Sequence, residues 1–168
     1  DQKTSVQDGY SYIMENVEDA DYYDAAQAEM IRSVALNGYW GTKNDEATEA
    51  AELGSLDAVK EMMREAKDAD GNAVFGEDEI AALTDGMAMT ATQYAIWTFS
   101  NESNGDKYIS AYYVSDALGV GRVPAEEQAS VDLIFKLYNH LINLDPTKVE
   151  NTTKDTIINA DNFLENLS

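Results

Sequence analysis

Gln93 is the residue whose type and setting first suggest chemistry. Met89, Gln93, Ile96 and Trp97 recur at i, i+4, i+7 and i+8 within the stretch MTATQYAIWTFS, the spacing of a single helical face. Three of the four side chains are large and apolar, and the fourth is a carboxamide. A carboxamide turned toward a core costs free energy unless its oxygen and its NH₂ both find partners. The pattern therefore predicts an inward-facing Gln93 that is either satisfied by a polar network or kept for chemistry.

Other catalytic apparatus is poorly supplied. The 168 residues contain no cysteine and one histidine, which leaves no disulfide framework, thiol nucleophile or Cys-ligated zinc and little for a His-based metal site or triad. Paired carboxylates have no diagnostic value among 32 acidic residues. No cofactor or metal is expected. The loop DADGNAVFGEDE places Asp68, Asp70, Asn72 and Glu79 at positions 1, 3, 5 and 12 of an EF-hand-like frame, but Ala73 stands where that frame requires glycine. A solvated turn or short hairpin around Asp70-Gly71-Asn72 is the better reading.

The net charge is −21 and hydrophobic content is 44%. The first repels phosphate backbones and anionic lipid, arguing against nucleic-acid or membrane-surface partners. The second is too high for a disordered acidic tail. No apolar run reaches the length of a membrane span, and no signal peptide is visible. The chain opens at Asp1 without an initiator methionine, so a mature or trimmed fragment is expected.

The elements that must position Gln93 read mostly as helices. One is predicted from about Asp21 to Leu36, stopped by Asn37-Gly38, with Tyr39 and Trp40 packing back on the core. A weak acidic helix spans Asp45–Leu53, and Ser55 caps another that runs to about Lys67. A short helix from Glu77 to Thr84 breaks near Asp85-Gly86, and the Gln93 helix comes next. Tyr108–Val114 has the β-branched and aromatic content of a strand, with a short helix as the alternative. Pro124 at N1 opens the longest helix, to about Leu144, with Val131, Phe135, Tyr138 and Ile142 on one side and Ile134, Leu137 and Leu141 widening the face. His140 near its end reads as a capping or surface residue favoured by the macrodipole. A last helix runs from about Thr153 to Leu167. The expected fold is α+β but predominantly helical, a single compact domain over residues 1–168 with about six or seven helices and a few short strands.

Thr92-Gln93-Tyr94-Ala95-Ile96-Trp97-Thr98-Phe99 resembles the glutamine motif of thioester domains from Gram-positive surface adhesins: a Gln, two variable residues, an apolar residue, then Trp. Val34-Ala35-Leu36-Asn37-Gly38-Tyr39 is similar to the family's helix end leading into an Asn-Gly-Tyr turn, and the helix around Leu133–Leu144 is compatible. The resemblance implies an internal thioester between a cysteine and Gln93, the acyl donor. A lysine amine of a host protein would open it to leave a permanent isopeptide-like bond. Met89, Ile96, Trp97, Tyr39 and Trp40 would then wall a dry pocket, since water is the competing nucleophile. It further implies an extracellular location on the bacterial cell wall, no membrane insertion of this segment, and single-turnover chemistry rather than an enzyme.

The family's cysteine, normally N-terminal to these helices, is missing. It could precede Asp1, because the polar Asp1–Gly9 stretch reads like the segment immediately after that motif. It could be replaced by Ser11 within Tyr10-Ser11-Tyr12. Or the protein could be a non-covalent relative. The reading from another class is a non-catalytic helical binding domain that uses exposed tyrosines and acidic faces against a basic protein partner.

Overall fold

A computed structural model describes residues 25–41, 53–101 and 108–144. Ser11, most of the acidic helix expected at Asp45–Leu53 and the closing helix expected at Thr153–Leu167 lie outside the described residues. Among those described there are six helices: α1 (Ala25–Asn37), α2 (Leu56–Glu65), α3 (Glu77–Ala82), α4 (Asp85–Ser100), α5 (Ala111–Leu118) and α6 (Ala125–Ile142). Strand-like pairing among them comes down to one antiparallel bridge between Lys67 and Ala73. The chain is predominantly helical, as expected.

Helix α4 is the axis of the described fold, packing most extensively on α6 and next on α1. It starts earlier than the Asp85-Gly86 break would put it. Thr84 is the N-cap, its hydroxyl accepting the Met87 N–H at 3.3 Å, and Asp85 sits in the first turn, where a carboxylate favours the positive end of the macrodipole. The break falls at Leu83-Thr84 instead. Ala88, Ala91 and Ala95 are fully buried along α4, beside Thr92, Ile96 and Phe99. Small side chains at i, i+3 and i+7 let α1 and α6 approach closely. Interior hydroxyls are satisfied within the helix: Thr92 donates to Ala88 O at 2.8 Å and Thr98 to Tyr94 O at 2.9 Å. Its last carbonyls are taken by other segments, Thr98 O by the Ile109 amide at 3.0 Å and Phe99 O by the Gln27 side chain at 2.6 Å.

On α6 the fully buried residues are Leu133, Leu137, Tyr138 and Leu141, while Ile134, Phe135 and Ile142 pack partly buried around them. Pro124 is the N-cap rather than N1. Tyr138 has no exposed surface, and its phenol shares a 2.8 Å hydrogen bond with the Thr98 hydroxyl. Burial pushes that phenol above the ordinary tyrosine range.

The strand expected at Tyr108–Val114 is not formed; Ala111–Leu118 is helical. Val114 is fully buried, with Ala111 and Leu118 partly buried against the same core. This i, i+3, i+7 set outweighs the strand preference of the tyrosines. Gly119 closes the helix at φ 77°, with the Val120 amide reaching back to Ser115 O.

The Asp68–Glu79 loop takes the hairpin form. The Asp68 carboxylate accepts the Asp70 and Asn72 amides, each at 2.9 Å, and Gly71 turns at φ 83°. Glu79 faces away from that turn. Its carboxylate accepts the Gly76 amide at 2.9 Å and the Lys136 ammonium at 2.8 Å, and these two partners, in that order, hold it below the usual glutamate range. Lys136 also sits 5.3 Å over the Phe75 ring, and His140 meets the same ring edge to face at 5.5 Å. His140 is thus a half-buried packing residue, not a macrodipole-favoured surface cation. Burial holds its pKa below the usual histidine value.

These contacts carry two expected outcomes. Thr98→Val strands the buried Tyr138 hydroxyl and should cost about 1–3 kcal/mol in chemical denaturation. Tyr138→Phe leaves Thr98 bonded to Tyr94 O and should cost less; the reverse order would contradict this reading of the pair. Because the folded His140 pKa is depressed, the unfolded chain takes the proton first. Its stabilising contribution is complete above about pH 6.5 and declines as pH falls below that value. The Glu79 contribution is complete above about pH 4.5 and lost only as pH falls further. Thermal midpoints measured between pH 7 and 5 should therefore fall less steeply for His140→Leu than for the parent.

Candidate functional site around Gln93

The backbone next to Gln93 is docked on the turn that leaves α1. Gly38 comes directly after that helix, with its amide bonded to Val34 O at 2.8 Å. A Cβ at Gly38 would lie 2.5 Å from Thr92 Cγ2, 2.8 Å from Thr92 Oγ1 and 2.9 Å from Val34 O. Glycine is needed here for close approach, since Gly38 is not among the residues of positive φ. The contact is polar as well as tight: the Tyr39 amide donates to the Thr92 hydroxyl at 2.8 Å, and that hydroxyl donates onward to Ala88 O. Thr92 is 1% exposed and fully satisfied.

Tyr39 grips α4 a second time. Burial, and then the Asp85 carboxylate in the first turn, push its phenol up to about 12. Asp85 and Thr92 are two helical turns apart, roughly 10 Å along the axis. Tyr39 therefore bears on both the start and the middle of the helix that carries Gln93. Trp40 anchors the far side of the turn, its amide on Gly54 O at 2.8 Å and its indole N–H on Ala35 O at 2.7 Å.

Gln93 points the other way from this dock. It is exposed, and its carboxamide makes no hydrogen bond with another described residue. The expectation of an inward-facing Gln93 is corrected: the buried face of α4 runs through Ala88, Ala91, Thr92, Ala95, Ile96, Thr98 and Phe99. A cleft of about 480 Å³, open to solvent, lies against Thr90, Gln93, Tyr94 and Trp97. Trp97 is 38% exposed and meets Tyr94 edge to face with centroids 6.0 Å apart.

Of the side chains expected to wall a pocket, Trp97 is the one the structure brings to this cleft with Gln93. Met89 is half-buried, and Ile96, Tyr39 and Trp40 are buried in the core. Tyr39 acts through Thr92, beneath the site. Sequence reasoning missed Thr90 and Tyr94 as lining residues, and Thr92, Gly38 and Asp85 as the supports. The signal for the lining was there in the i, i+3, i+4, i+7 spacing of Thr90, Gln93, Tyr94 and Trp97. A face of mixed polarity and partial exposure carries little weight in a search for apolar stripes.

The model of the thioester domain family matches residues 1–147. The chain belongs to the thioester domain family. No curated protein and no solved structure matches it. Thioester domains are adhesin-type modules, typically carried on extracellular surface proteins, and the family is associated in general with covalent binding to host proteins. In this thioester domain, no helix among the described residues is long and apolar enough to cross a membrane, and none of the 168 residues is a cysteine.

The dock should show as coupling between its two partners. Gly38→Ala overpacks the contact and is expected to cost about 1–3 kcal/mol. Thr92→Ala leaves the buried Tyr39 amide without its acceptor, at a similar cost of about 1–3 kcal/mol. Since Thr92→Ala also removes two of the three close contacts, the double variant should be less destabilised than the sum of the singles by about 1 kcal/mol or more. Strict additivity in urea unfolding would show that the two residues do not bear on each other.

Proposed function

We propose that this thioester domain is a bacterial cell-surface adhesin module, carried on the cell wall of a Gram-positive organism, in which Gln93 is the acyl half of an internal Cys–Gln thioester. The observation that supports this best is the setting of Gln93: an exposed, unengaged carboxamide on a helix whose adjacent residue is locked from behind. Such a carbonyl is reachable by a macromolecular nucleophile while its backbone is held still, the condition for a productive encounter.

The chemistry has two steps. A cysteine thiol adds to the Gln93 carboxamide, a C–S bond forms, the C–N bond breaks and ammonia leaves. A lysine amine of the host protein then attacks the same carbon. A C–N bond forms, the C–S bond breaks, and the departing thiolate takes up a proton. A thioester supports this second step because a thiolate leaves far more readily than an amide anion. Each domain reacts once, so it is a reactant and not a turnover enzyme. No metal or cofactor enters either step. The thiol must come from outside these 168 residues, and without it Gln93 is an ordinary amide.

A second reading is supported by a different observation. Tyr112 and Tyr113 are 72% and 42% exposed on α5, and the chain carries a charge of −21. These suit non-covalent recognition of a basic protein partner.

The test is amine capture. The protein expressed from its full reading frame, with whatever cysteine it encodes, is incubated with a fluorescent alkylamine and digested for peptide mapping. The label is expected on the peptide containing Gln93, and Gln93→Ala should abolish labelling while the circular dichroism spectrum stays that of the parent. Labelling that persists in the variant would overturn the site.

A further inference from the structure

The cleft beside Gln93 has an aromatic wall. Trp97 is 38% exposed and stands edge to face with Tyr94, and both line the same cleft as Gln93. No lysine or arginine is among the described residues lining it. Among the described residues a lysine lies over an aromatic ring elsewhere, Lys136 over Phe75. An exposed indole face attracts a cation placed within about 6 Å of its centroid. A field of net charge −21 raises the local concentration of cationic groups further. A lysine side chain suits this surface at both ends, with an aliphatic stem to lie along the rings and an ammonium for the indole face.

We propose that Tyr94 and Trp97 form the recognition surface for the incoming lysine, seating its stem and ammonium so that Nζ arrives beside Gln93. This inference rests on the covalent reading of Gln93. Docking uses the ammonium, and reaction uses the free amine. The seated ammonium gives its proton to water, Nζ bonds to the acyl carbon, the C–S bond breaks, and the thiolate is protonated. Trp97 thereby sets specificity: a long-stemmed cationic amine is held, whereas methylamine has no stem to pack. An anionic amine is repelled, and a neutral isostere gains only the stem contact.

The experiment has two arms whose failures are distinguishable. In the first, the 168-residue chain is titrated with N-acetyl-lysine methylamide, and the two indole N–H signals are followed by NMR. Trp40, whose indole is buried on Ala35 O, is the internal reference. The Trp97 signal should move with the lysine probe and much less with N-acetyl-norleucine methylamide, while Trp40 stays fixed. This arm needs no thioester. An unmoved Trp97, or equal movement with both probes, overturns the proposal. In the second arm, the protein from the full reading frame is reacted with the lysine probe and with methylamine. The ratio of the two rates should fall about two- to fivefold in Trp97→Leu and be partly restored in Trp97→Phe. An unchanged ratio overturns the proposal. If the parent captures neither amine, the covalent reading fails, and the first arm alone decides whether the surface recognises lysine.

Discussion

The contact between Thr92 and the Gly38-Tyr39 turn is the constraint on which the site depends. A single hydroxyl accepts one amide and donates to one carbonyl, against a glycine that leaves no room for a Cβ. Two helices are thereby held in one register at one height. Rotating α4 would break the Tyr39–Thr92 hydrogen bond, the one of the two that crosses from the helix to the turn. With Ala91 and Thr92 both turned inward, Gln93 comes about 200° round the helix from the first and about 100° from the second, on the outer side. Gln93 is exposed for that reason.

That geometry sets a balance between access and protection. Under the proposed chemistry an exposed acyl group can meet a lysine on a large protein, which a buried one could not. It can also meet water, and the expected dry pocket is not what the described residues build. Gln93 is flanked instead by an aromatic pair on the same helix face. Such a flank limits the directions of approach without sealing the site, and the dock beneath it holds the helix backbone that carries Gln93.

Much of this is legible in the sequence, and the misses share a cause. The glutamine motif identifies the family and the residue at its centre, and the helical content comes from periodicity and caps. The facing of α4 does not, because an apolar-stripe reading weights Met89 and Trp97 over Ala88, Ala91 and Ala95, although it places Ile96 inward correctly. Close helix packing selects small residues, so the buried stripe here is the less hydrophobic one by size. Gly38 reads as a stop signal in the sequence, but it serves as a contact surface, a role visible only once its packing partner is known. Tyr108–Val114 resembles a strand because its tyrosines favour that state locally, and only the burial of Val114 with Ala111 and Leu118 decides for a helix. His140 escapes for a similar reason: its neighbour Phe75 is distant in sequence, and burial there outweighs the helix terminus.

The most direct measurement of the central claim, that Gln93 is the acyl half of a thioester, is an intact mass of the protein expressed from its full reading frame. It should be short by one ammonia relative to its sequence and should gain one methylamine on incubation with that amine, whereas the 168-residue chain should show its unmodified mass and ignore methylamine. A full-frame protein of unmodified mass that does not react would contradict the claim and leave a non-covalent binding domain with an ordinary surface glutamine.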